Sequence, residues 1–78
     1  MKFKPLHENY NVSDLEKSLA FYKEALGLTE KRRHTSSDGS FTICFIGNED
    51  SSFEVELTEL RDHPQKYDLG ENEFHLAF

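Results

Sequence analysis

Phe53-Glu54-Val55-Glu56-Leu57-Thr58-Glu59-Leu60 alternates apolar and polar side chains through most of its length. A period of two sends Phe53, Val55 and Leu57 to one face of a strand and Glu54, Glu56 and Thr58 to the other. The first face requires a core. The second carries Glu56 on stiff backbone, where a carboxylate is aimed rather than left to sweep through solvent. A glutamate on a strand is ordinarily just part of the wetted face. Two histidines, His7 and His75, each in a short strand-like segment elsewhere, give Glu56 candidate partners.

Working back from this stretch, residues 40–47 are the strongest strand signal: aromatic and β-branched, with Phe41, Ile43 and Phe45 on one face. Ser36-Ser37-Asp38-Gly39 before it reads as a hairpin turn joining it to residues 28–35. Further upstream, Ser13 with Glu16 three residues on forms a capping box, predicting a helix start. Leu15, Leu19, Tyr22 and Leu26 then make one apolar stripe with Ala25 beside it, and Gly27 supplies a left-handed stop. Phe21 and Tyr22 are read as core rather than as ligand contacts. Residues 2–10 alternate loosely as a first strand, with Pro5 near its start or at a sheet edge. Downstream, residues 61–72 turn polar around Pro64 and Gly70 and read as a connecting segment, and residues 73–78 open a new strand.

The order strand, helix, three antiparallel strands, linker, strand predicts an α+β fold: a curved antiparallel or mixed sheet with one helix on its outer face. Leu6, Val55 and Leu57 are expected to cover the helix stripe, leaving His7 and Glu56 on the concave face. The expected divisions are residues 1–60 as one βαβββ module, 61–72 as linker and 73–78 as a further strand.

With 78 residues the chain is one small domain, a size at which only roughly 60% of the unfolded surface is buried. A metal or a partner chain is a natural source of added stability. The net charge of −6 offers no basic face for nucleic acid. No apolar run approaches a membrane span, and Met-Lys-Phe-Lys-Pro lacks the apolar core of a signal peptide. A cytoplasmic location is therefore expected. The single cysteine, Cys44, lies in a strand pattern and is read as a small buried hydrophobe, not a nucleophile.

Leu6-His7, Val12 to Ser18, Phe21-Tyr22 through Leu26-Gly27, Phe45-Ile46-Gly47, Glu56-Leu57-Thr58, Tyr67 to Gly70 and Phe74 to Ala77 are together similar to the glyoxalase I family of the vicinal oxygen chelate superfamily. The resemblance implies two βαβββ modules facing each other around one metal. It assigns His7 and Glu56 as the first module's ligands and His75 as a third, and places the fourth ligand, a glutamate that also serves as base, beyond Phe78. The chain is thus expected to hold one module and the first strand of the next.

The same resemblance implies a divalent ion, nickel or cobalt with zinc possible, and glutathione or another thiol as cosubstrate. The implied reaction is metal-dependent isomerisation of the hemithioacetal of a 2-oxoaldehyde, such as methylglyoxal. Asn11 stands where the family has a substrate-binding arginine, and Leu60 where it has an asparagine. Arg32 matches an arginine of many bacterial members and is a candidate substrate contact alongside Asn11; its plainer reading is a charge guarding an edge strand.

An exposed concave face and two sheet edges predict self-association, as a homodimer or a domain-swapped oligomer. A two-fold dimer brings together His7 and Glu56 of both copies and makes Glu56 the candidate catalytic carboxylate as well as a ligand. The competing expectations are a non-catalytic module and a metal-free binder using the face of Phe41 to Phe45 as an apolar trough. His34 and His63 are set aside as ligands, His63 being the reserve candidate.

Overall fold

The computed structural model describes residues 2–78. Its elements run β1 (His7–Asn11), α1 (Leu15–Leu26), β2 (Thr29–Thr35), β3 (Phe41–Gly47) and β4 (Glu54–Leu60). The four strands form one open mixed sheet in the order β1-β4-β3-β2. β1 runs parallel to β4, and the other two pairs are antiparallel. This is the α+β module expected from the sequence. Among the described residues, no helix is long and apolar enough to cross a membrane.

The core lies between α1 and one sheet face and consists of Leu15, Leu28, Cys44, Ile46, Val55 and Leu57. Alternation explains its membership. Cys44 and Ile46 on β3 are register partners of Leu57 and Val55 on β4, so all four point the same way and are almost wholly removed from water. Phe41, Ile43 and Phe45 therefore share the opposite face, where they stay half-buried. Tyr10 and Val12 pack on the core, whereas Leu6, expected there, precedes β1 and is largely exposed.

Two carboxylates set the start of α1. Asp14, in extended backbone, accepts from the Lys17 N–H, and Glu59 of β4 accepts from the Leu15 N–H at 2.6 Å. The N-cap is thus Asp14, one residue after the expected Ser13; its carboxylate reaches the first turn's N–H groups. Gly27 ends the helix with φ +67°, as its position implied.

β2 carries a bulge. Glu30 pairs with Ile46 and Arg32 with Phe45, so Lys31 is the extra residue. The bulge puts Glu30 and Arg33 on the helix side and Arg32 on the open side. Arg33 then donates to Glu30 at 2.8 Å and to Glu16 of α1 at 2.9 Å, fastening the edge strand to the helix.

Residues 61–78 contain no helix or strand. Residues 73–78, expected as a strand, run here as irregular chain, with Leu76 packed against the core cluster on the helix side. Leu76, Ala77 and Phe78 line a cavity of about 310 Å³ with Leu28, Ile46 and Val55.

Candidate functional site

Register places the open face in rows. Asn9, Glu56, Phe45 and Arg32 lie across the sheet from β1 to β2, with His7 and Glu54 in the row on one side. Asn11, Thr58, Ile43 and His34 form the row on the other. These side chains come from strands far apart in sequence, and the parallel β1–β4 pairing sets residues 7–11 beside residues 54–58.

His7 is paired in register with Glu54, yet its Nε2 lies 3.4 Å from Oε1 of Glu56. The imidazole therefore leans along the sheet, and its ring meets Phe45 edge-on with centroids 5.3 Å apart. Glu56 is well shielded, its side chain being 15% exposed. An imidazole nitrogen and a carboxylate oxygen at this spacing suit adjacent positions on a divalent ion, for which ligand distances of about 2.1 Å give edges of about 3.0–3.4 Å. They fit half of such a site.

Glu54, read from sequence only as part of a wetted face, binds Arg32. Nη1 of Arg32 lies 2.9 Å and 3.2 Å from the two carboxylate oxygens, and the guanidinium carbon sits 3.9 Å over the Phe45 ring. Arg32 is thus on the predicted face but already paired with a carboxylate. The sequence signal for this was available in the alternation of Glu54 and Glu56; the bulge that aims Arg32 at them was not.

Asn11 also lies on the open face. Thr58 Oγ1 donates to Asn9 Oδ1 at 2.5 Å, and Asn9 Nδ2 donates to Asn11 Oδ1 at 2.9 Å. These contacts tie Asn11 to Thr58 through Asn9 in one hydrogen-bonded row on the open face. Sequence reading missed Asn9 and Thr58.

His75 is exposed and does not join His7 and Glu56 within the chain. Among the described residues, no three His, Cys, Asp or Glu side chains are grouped so as to hold a metal ion. His34 lies beside Phe41, with ring centroids 6.1 Å apart, and His63 stacks on Tyr67 at 3.9 Å; neither is grouped with His7 and Glu56. Cys44 is fully buried, and burial pushes its thiol up from the usual range, away from the thiolate a nucleophile needs.

Comparison with known proteins adds an independent line. The model of the glyoxalase/bleomycin resistance protein/dioxygenase superfamily matches residues 6–78. A lactoylglutathione lyase of Neisseria meningitidis serogroup A is 42% identical over 74 residues, covering 92% of this chain and 53% of that protein. A probable lactoylglutathione lyase of Synechocystis is 39% identical, with 92% and 56% covered. Among solved structures, the glyoxalase I of Leishmania major, described as trypanothione-dependent, superposes with a TM-score of 0.72 at 33% identity, over 86% of this chain and 50% of that one. The chain spans about half the length of the curated relatives it matches.

Proposed function

This chain belongs to the glyoxalase/bleomycin resistance protein/dioxygenase superfamily, and on that premise we propose that it serves a glyoxalase I-like, metal-dependent isomerisation of the hemithioacetal of a 2-oxoaldehyde and a thiol. The observation that carries this reading is the pair His7 and Glu56 on the open face, 3.4 Å apart. The lactoylglutathione lyase relatives support it.

One chain offers one imidazole and one carboxylate. A second copy of the same face, related by a two-fold axis, offers the same pair, giving two histidines and two glutamates. Nickel or cobalt suits such a nitrogen and oxygen set with positions left for substrate, and zinc is the third choice. Bound there, the ion supplies the positive charge that makes the hemithioacetal carbon acidic. His75 is a further ligand where residues 73–78 exchange onto a neighbouring copy as a strand, the domain-swapped form of the same assembly.

The chain's own residues divide the remaining work. Glu56 of one copy takes the proton from the carbon bearing sulfur and returns it to the adjacent carbonyl carbon, while the hydroxyl proton passes from the first carbon's oxygen to the second's. Sulfur stays bonded, no electron leaves the substrate, and the product is a 2-hydroxy thioester. Phe41, Ile43 and Phe45 exclude water from that transfer. The Asn11 amide, oriented by Asn9 and Thr58, donates to an oxygen of the thiol cosubstrate, glutathione or a relative of it. A thiol cosubstrate fits a reducing, cytoplasmic setting.

A second reading has its own observation. Phe41, Ile43 and Phe45 form an apolar strip on the open face that stays only half-buried, as suits a metal-free member that binds an apolar small molecule. Turnover of the methylglyoxal–glutathione hemithioacetal by nickel-loaded protein separates the two. The proposal predicts activity that drops by about 10²-fold or more in Glu56→Gln. Nickel-loaded wild type without activity contradicts it and favours the second reading.

A further inference from the structure

We propose that Phe45 is a positioning residue for His7, itself fixed by the Arg32–Glu54 ion pair. The inference rests on the reading of His7 and Glu56 as a ligand pair. His7 stands on β1 and Phe45 on β3, with β4 between them, so the imidazole must cross over Glu56 to touch the ring. The two rings meet at 82°, the edge-on arrangement favoured by the ring quadrupole. That contact selects the side-chain rotation in which Nε2 faces Glu56 and not its register partner Glu54.

Phe45 is in turn held from its other side. The Arg32 guanidinium lies 3.9 Å over the ring, and Glu54 holds that guanidinium through both carboxylate oxygens. The pairing has a second effect: Glu54, beside His7 in register, is occupied by Arg32 and does not compete with Glu56 for the imidazole. Three side chains, on β2, β3 and β4, thus set the rotamer of a fourth on β1. Arg32 acts through Phe45 and Glu54, not as a contact to substrate, and the bulge at Lys31 is what aims it inward.

The test compares wild type with Phe45→Leu, Phe45→Tyr and, as an exposed ring on α1 away from the open face, Phe21→Leu. Nickel affinity is read by calorimetry, and the His7 ring protons are read by NMR in the metal-free protein. Phe45→Leu is expected to weaken nickel binding about tenfold and to abolish the ring-current shift of His7. Phe45→Tyr restores both, and Phe21→Leu stays within about twofold of wild type. Nickel binding by Phe45→Leu at wild-type strength overturns the proposal, as does weaker binding with His7 resonances unmoved. If wild type takes up no nickel, the ligand reading fails, but the His7 shift in Arg32→Met, which keeps the Phe45 ring, still decides: reduced it supports positioning, unchanged it overturns it. Should Phe45→Leu not fold, Arg32→Met keeps the side-chain stem, removes the charge, and is expected to reduce the same shift.

Discussion

His7 and Glu56 meet diagonally across the parallel β1–β4 pair: their Nε2 and Oε1 atoms are 3.4 Å apart, although each is in register with a different residue, Glu54 and Asn9. A diagonal contact is available to long side chains on neighbouring strands. It brings residue 7 to residue 56 on stiff backbone, the condition for a carboxylate and an imidazole to act on one ligand.

The sheet that carries this pair depends on a small core. Leu57 is fully buried and packs with Cys44 and Ile46 directly beneath the open face. Leu57→Ala is expected to cost about 3 kcal/mol, a large share of the stability available to a domain of this size. Urea unfolding followed by circular dichroism should show a much lower midpoint with an unchanged slope.

Glu59 and Asp14 together satisfy the first turn of α1. Glu59→Gln keeps an acceptor but loses the charge beside the helix N-terminus, and Asp14→Ala loses the cap. Each is expected to destabilise the fold by about 1 kcal/mol. The two changes should add less than fully, because they act on the same turn; thermal melts of the single and double variants check this.

Asp38 ties the β2–β3 hairpin. The Ser40 hydroxyl, then the Ser40 N–H and the Ser36 hydroxyl, hold its carboxyl down to about 2 from an ordinary 3.8. A folded value below the unfolded one means that this contribution is present above about pH 3.8 and is lost as pH falls toward 2. Asp38→Asn should therefore lower stability near neutrality and flatten the fall between those two pH values. Chemical unfolding across that window measures it.

The helix and the three later strands were legible because alternation and the apolar stripe each point one way. The open face was legible through Glu56 for the same reason. Ser13 misled because Asp14, one position on, is an equally good cap, and only the extended backbone at Asp14 decides between them. Arg32 could be placed on the site's face but not matched to Glu54, because the Lys31 bulge changes parity without a glycine or proline to announce it. Residues 73–78 have the pattern of a strand, yet pattern alone does not choose between pairing at a sheet edge and packing an apolar side chain on the core. Their end lies on the helix side of the sheet, which no local pattern records.

In the proposed assembly His7 and Glu56 are one half of a metal site that a second copy of the same face completes. Native mass spectrometry of the protein with nickel, beside His7→Ala and Glu56→Gln, tests it most directly. The account predicts one ion per pair of modules in wild type and none in either variant, with the fold retained. Nickel bound equally by wild type and both variants, or pairing without any metal uptake, would contradict it.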